Sequence, residues 1–279
     1  MVEKCRAFAP GNISCVFKIV HNPDPTRMHS LGMGFTVREG VVATVSLDGG
    51  STEVEFNGEA VAFPTVSAVV EKLTPQAVRV QLESPLPLSC GFGLSGASAL
   101  ATAYAGNSLL QVERDEEQLA MIAHVAEVEN LTGLGDVCAQ YHGGCLVKLR
   151  EGHPLAAESL PVGEQPIYYR YFSPIQTREV LGDSRRKEQI NRAADRALAD
   201  IKNDLKAGEI DFVSCIKISK LFALESRLLK DQRVQQIIRQ VEDAGGVASM
   251  IMLGNAVFSN RPFTAAQETR LLQHSVRLI

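Results

Sequence analysis

The segment that most constrains this chain runs from Pro87 to Ala99 and reads PLSCGFGLSGASA. Glycines at 91, 93 and 96 are set in a turn, and small apolar residues continue from Ser95 to Leu110. Glycine allows the backbone a positive φ and a close approach to a ligand. A helix built from small residues suits tight packing on a sheet. A helix start also offers unpaired N–H groups and partial positive charge, and so seats phosphate oxygens. Ser95 stands where its hydroxyl can reach a phosphate or a magnesium ion. Taken alone, such a turn serves packing as readily as phosphate binding. It is not a Walker loop, because no Gly-Lys-Ser/Thr follows. It is not a dinucleotide fingerprint either, because the acids downstream, Asp115 and Glu116, precede a helix instead of ending a strand.

Around this turn the chain reads as α+β. The first third is predicted as strands over Cys15–Val20, Val41–Leu47, Val66–Val70 and Val78–Leu82, with a hairpin turn at Asn57-Gly58 after Glu53–Phe56. Helices are predicted over Ser95–Leu110 and Glu116–Asn130, then strands over Cys145–Leu149 and Ile167–Tyr171 with a loop, Arg150–Gln165, between them. Three long helical patterns follow, over Ser184–Lys206, Asp211–Lys230 and Gln232–Ala244. Gly245-Gly246 ends the last, and a strand is predicted over Val247–Leu253. The shift to a helix-rich second half places a boundary near residues 150–170.

Composition narrows the function classes. The 279 residues carry 28 Lys and Arg against 32 Asp and Glu, a net charge of −4. A duplex-binding protein usually has a basic excess, so no nucleic-acid partner is expected. No apolar run is long enough to span a membrane, and Met1–Asn12 has no apolar signal core, so no membrane association and a cytoplasmic location are expected. The six cysteines (5, 15, 90, 138, 145 and 215) form no CxxC pair and read as reduced core residues, with no metal site among them.

A second constellation spans His124 to Gly144. His124 and Glu127 lie three residues apart, on nearly one helical face. Gly133 and Gly135 then turn the chain and present Asp136 ahead of an apolar run. Phosphoryl transfer needs a carboxylate for metal and a group that orients the nucleophile, and Glu127 and Asp136 can take those roles. Glu129 reads as an exposed helix-end acid.

These segments resemble the GHMP kinase superfamily. Its second motif usually reads PxxxGLGSSAA. Pro87, Gly91, Gly93, Ser95 and Ala97 match it, whereas Leu94 and Gly96 depart. Ala9-Pro10-Gly11-Asn12 is similar to the first motif. The GFGLSGA variant and the AHVAEVENLTGLGDV stretch are similar to the pantoate kinase branch, and Gly245–Phe258 looks like that branch's last motif. Val276–Ile279 reads as the start of a strand, and that branch usually runs somewhat further.

The resemblance implies an N-terminal domain (1–160) like the ribosomal S5 second domain and a C-terminal ferredoxin-like α+β domain (161–279), with ATP and the acceptor meeting between them. It implies that Gly91, Gly93, Ser95, Gly96 and Ala97 hold the ATP phosphates, that Ser95 and Glu127 hold Mg²⁺, and that Asp136 orients or deprotonates the acceptor hydroxyl. Ser30, His124, Lys148 and Thr177 become the substrate-binding candidates for pantoate. Arginine is usual where Lys148 stands, and Asn12 stands where mevalonate kinases carry a lysine. Other acceptors (homoserine, shikimate or mevalonate) and a non-catalytic metabolite sensor are the competing readings. A homodimer is implied by resemblance alone.

Overall fold

The computed structural model describes residues 3–47, 50–175 and 177–279. In chain order the elements are β1 (Lys4–Val20), β2 (His29–Ser46), β3 (Glu53–Phe56), β4 (Glu59–Ala60), α1 (Pro64–Leu73), β5 (Arg79–Glu83), α2 (Leu94–Leu110), α3 (Glu116–Glu129), α4 (Asp136–His142), β6 (Cys145–Lys148), β7 (Glu158–Ser159), β8 (Gln165–Pro174), α5 (Thr177–Gly182), α6 (Ser184–Ala207), α7 (Phe212–Glu225), α8 (Gln232–Asp243), β9 (Ala248–Met250), β10 (Gly254–Ser259), β11 (Gln267–Leu271) and β12 (Arg277–Leu278). No helix among the described residues is long and apolar enough to cross a membrane.

β2 is the hub of the sheet. It pairs antiparallel with β1 from Lys4↔Ser46 to Val20↔His29, and also with β5, β6 and β11. It serves several partners because β1 and β2 are long and bent. Register shifts fall at Pro10/Gly11 and Ser14/Val16, and such bulges bend a strand and re-aim its side chains. The second half joins through β11, which pairs with β2 at Leu271↔Val37 and with β8, followed by β10 and β9. Strands from both sides of residue 160 therefore share one continuous hydrogen-bonded sheet.

α2 packs on β1 and β2 and against α1 and α3. Ala97, Ala99, Ala101, Ala103 and Ala105 are fully buried, which lets the helix axis come close to the sheet. Capping sets the boundaries of the neighbouring helices. The Asp115 carboxylate accepts from the Gln118 backbone N–H in a capping box, and Asp211 repeats the device at α7 with Ser214. Five of the cysteines are buried, Cys5 is half-buried, and all are free thiols.

The valine run at 66–70, expected as a strand, lies in α1. Thr65, Val66, Val69, Val70 and Leu73 are the buried set, a helical spacing. Pro64 supplies a fixed φ at the helix start. Burial of that face outweighed the β-preference of valine. Val247–Leu253 shortens to β9, with Leu253 at φ 61° beyond it, and β10 and β11 were not anticipated. The apolar run after Asp136 is the helix α4. The Asn57-Gly58 turn does join β3 to β4, with both residues at positive φ, as a two-residue hairpin of this sequence requires.

Candidate active site

The glycine-rich turn ends at Gly93, the N-cap of α2, in the left-handed conformation at φ 61°. Gly91 has φ 85°. A Cβ at Gly91 would lie 2.6 Å from the Met252 carbonyl oxygen, and one at Gly93 would lie 2.9 Å from Asp136 Cγ. Both positions thus need glycine for conformation and for space. Gly254, from the last motif, packs so closely on the Cys90 carbonyl that it too has no room for a side chain. No side chain caps α2 and no acid occupies its first turn. Its leading N–H groups remain open toward a cavity of about 680 Å³ whose wall includes Gly91, Gly93, Ser95, Thr132, Gly133 and Asp136. That volume falls within the range of roughly 300–1,000 Å³ usual for small-molecule sites.

Asp136 is the first residue of α4, placed by Gly135 as N-cap. Its Oδ1 accepts from Asn12 Nδ2 at 2.6 Å and from Ser14 Oγ at 3.3 Å. Burial raises its carboxyl above the usual range, and the Asn12 and Ser14 hydrogen bonds pull it back. Gln140, one turn further along α4, donates to the Gly93 carbonyl at 2.8 Å. The acid-bearing helix is thereby clamped to the glycine-rich turn.

Glu127 is 1% exposed. Its Oε1 accepts from Thr132 Oγ1 at 2.6 Å, and the Thr132 hydroxyl also lies 3.0 Å from Thr65 Oγ1. Oε2 has no hydrogen-bond partner among the described residues. This carboxyl is raised to about 7, chiefly by burial, with the Thr132 hydroxyl acting against the rise, the Asp136 charge adding to it and the Ser95 hydroxyl opposing it. A Cβ at Gly133 would run into Glu127 Oε2 and lie 3.4 Å from Asp136 Oδ2, so the two carboxylates flank one glycine. A buried, unpartnered carboxylate oxygen beside a hydroxyl is a hard-oxygen donor set, and it fits Mg²⁺. That ion takes one or two protein oxygens and completes its shell with phosphates and water. No cluster of three or more His, Cys, Asp or Glu suited to a metal occurs among the described residues.

The substrate candidates are distributed unevenly. Ser30 lines the main cavity and a smaller one of about 60 Å³ that adjoins it, and its N–H donates to the Leu134 carbonyl at 3.2 Å. Thr177 lines the main cavity from the start of α5. Lys148 lines the smaller cavity, where its ammonium donates to the carbonyls of His153 at 2.5 Å and Pro154 at 2.9 Å. Burial lowers it to about 8, a shift that Cys138 opposes. His124 lines neither cavity. It is 2% exposed, its Nε2–H donates to the Met28 carbonyl at 2.9 Å, and burial pushes it down to about 4. It is a neutral histidine that fixes the approach to Ser30. Glu129 stands outside the site, paired with Lys72 at 2.9 Å.

Sequence reasoning gave no role to Ser14, Thr132 or Gln140, and noted Asn12 only as a motif residue in place of a lysine, not as the partner of Asp136. Asn12 and Asp136 are 124 positions apart, and nothing local marks the pair. Only Thr132, five positions after Glu127, carried a short-range signal.

The open start of α2 and the Asp136 carboxylate share one cavity wall, with Glu127 buried beside Asp136 across Gly133, an arrangement suited to small-molecule phosphoryl transfer. The family model for the GHMP kinases N terminal domain matches residues 61–144. The chain is 31% identical to the pantoate kinase of Methanocaldococcus jannaschii over 258 residues, covering 90% of each. It is 30% identical to the pantoate kinase of Thermococcus kodakarensis over 273 residues, covering 91% of this chain and 86% of the relative. A solved structure described as a phosphotransferase related to the CoA biosynthesis pathway superposes with a TM-score of 0.84 at 26% identity, covering 99% of this chain and 98% of that one. A homoserine kinase from Cytophaga hutchinsonii shares the fold, with a TM-score of 0.70 at 17% identity over 99% of this chain and 98% of its own. The chain belongs to the GHMP kinases and, within them, to the pantoate kinase family. It is an ATP-dependent small-molecule kinase, and GHMP kinases use ATP with Mg²⁺.

Proposed function

We propose that this protein transfers the γ-phosphoryl group of ATP to the 4-hydroxyl of (R)-pantoate, giving 4-phosphopantoate and ADP on the way to coenzyme A. The observation that carries the reading is Asp136, held by Asn12 and Ser14 opposite the open N-terminus of α2, in a chain with pantoate kinase relatives. Gly91, Gly93, Gly96 and Ala97 bring backbone to the phosphates. Ser95 and Glu127 would hold Mg²⁺, which when bound neutralises phosphate charge. Asp136 accepts the hydrogen bond of the acceptor hydroxyl and aligns its oxygen with the γ-phosphorus. The new O–P bond forms as the bond to the β-phosphate oxygen breaks, and the hydroxyl proton leaves by way of Asp136 to solvent. The transition state is loose, so positioning and electrostatics outweigh deprotonation.

The acceptor carboxylate is assigned to Ser30, Thr177 and the third proton of the Lys148 ammonium, with His124 supporting from behind. The division at residue 160, a cytoplasmic location and a homodimer belong to the same reading. A coupled ADP-release assay across pantoate, homoserine, shikimate and mevalonate tests it. Pantoate is expected to dominate, and equal or better turnover with another acceptor would reassign the substrate.

Variants at two positions separate the ligands. Lys148→Ala is expected to raise KM for pantoate roughly 10- to 150-fold, the effect of losing a charge-assisted contact of about 1.5–3 kcal/mol, with KM for ATP nearly unchanged. Lys148→Arg is expected to be tolerated, since arginine keeps the charge and adds a bidentate fork. An unchanged pantoate KM in the alanine variant would return Lys148 to a structural role, bracing the carbonyls of His153 and Pro154. Ser95→Ala is expected to weaken use of MgATP more than that of pantoate, and equal loss for both would point to a damaged fold.

A further inference from the structure

Two anions, the ATP triphosphate and an acceptor carboxylate, must share the main cavity, yet its wall is poor in positive charge. The charged residues lining it are Asp136, Arg178 and Glu179. Lys148 lies in the adjoining smaller cavity, with two backbone carbonyls already engaging its ammonium. Asn12 is committed to Asp136. Arg178 is therefore the one cation that the main cavity presents among the described residues, and it belongs to none of the ion pairs among them.

Two separate links tie the chain just before α5 to the glycine-rich turn. The Ile175 N–H donates to the Ser89 carbonyl at 3.3 Å, tying the chain just before α5 to the glycine-rich turn. Pro174 pairs with Gly254, and Gly254 packs on the Cys90 carbonyl of the same turn. Arg178 follows three residues after Ile175, exposed on the cavity wall. Arg178 and the seat formed by Gly91, Gly93 and the start of α2 line the same cavity.

We propose that Arg178 is a phosphate-contacting residue that engages the β- and γ-phosphate oxygens of ATP and stabilises the charge that shifts onto them during transfer. This rests on the kinase reading of the site. Guanidinium suits the task, because it offers a planar fork of donors, stays charged at any working pH and holds phosphate oxygens bidentately. Phosphoryl transfer gains most from cations placed where charge develops. Glu179 follows Arg178 directly on a helix, and adjacent helical residues do not face one another, so its charge need not oppose the contact.

The test uses the full chain with Arg178→Gln and Arg178→Lys, and folding is checked by thermal melting. In the ADP-release assay the Gln variant is expected to lose about 10- to 100-fold in kcat/KM for ATP, the scale of one charge-assisted contact, with KM for pantoate within about threefold. The Lys variant is expected to recover part of that loss. Displacement of a fluorescent ADP analogue supplies a readout independent of turnover. Arg178→Gln is expected to weaken displacement by ATP and leave displacement by AMP unchanged. ATP competition and turnover within twofold of the parent would overturn the assignment, as would a loss confined to the pantoate KM. If the parent releases no ADP with pantoate, the acceptor reading fails alone, because the ATP-against-AMP comparison still decides the role of Arg178.

Discussion

Replacing Asp136 by asparagine is expected to lower turnover by about 10²–10⁴, the range typical of losing a positioned acid–base group, while ATP binding survives. The change is nearly isosteric. It removes the charge and replaces one acceptor oxygen with an amide that cannot accept. Asn12 Nδ2, now 2.6 Å from Oδ1, can keep its contact if the new amide presents its oxygen there. The fold should therefore hold, with Gln140 still clamping α4 to the Gly93 carbonyl. The measurements are steady-state ADP release with pantoate and a thermal melt of each protein. A well-folded Asn variant turning over within a few-fold of the parent would remove Asp136 from the chemistry.

Glu127→Ala is expected to abolish most turnover, by about 10² or more, and to raise the Mg²⁺ requirement. Near-normal turnover at ordinary magnesium would move the ligand elsewhere. The same residue predicts an effect on stability. A carboxyl raised from 4.5 to about 7 in the folded protein binds more protons folded than unfolded between those values. Its contribution to stability is therefore lost as pH rises through that window, by about 3 kcal/mol at most. His124, lowered to about 4, acts with the opposite sign. Its folded form binds fewer protons than the unfolded chain, so it adds stability as pH rises from about 4 to 6.5. The two effects overlap and largely offset each other in the parent. The difference between parent and Glu127→Gln isolates the carboxyl. In metal-free buffer the Gln variant is expected to match the parent near pH 4.5 and to exceed it in melting temperature at pH 7.5, even as its activity is lost. A constant difference across pH would show that Glu127 does not titrate in this range.

Much of the site was legible because its parts are local. The glycines at 91 and 93 are required by backbone conformation and contact within a few residues of the helix they introduce, so their spacing survives in the linear sequence. The Gly133–Asp136 turn is legible for the same reason. The fold class followed from periodicity, and the helices from Ser184 to Ala244 were placed within a few residues because amphipathic spacing and Asp caps are also local. The valines of α1 misled because a short β-branched run fits a strand and a buried helix face alike, and only the partner surface decides.

The chain by itself determined a glycine-rich turn ahead of a helix, an acid helix and an acid loop, motifs whose resemblance pointed to the family. Local backbone geometry and residue chemistry suffice to specify these. Only the tertiary structure decided how each group is used. It brought Asn12 and Ser14 onto Asp136 across more than a hundred residues. It left Glu127 with one bonded and one unpartnered oxygen, turned His124 away from the cavity, and set Arg178 on the cavity wall. These outcomes depend on sheet register and on the bulges in β1, because long-range pairing determines which side chains share a space, and no short stretch of sequence encodes that.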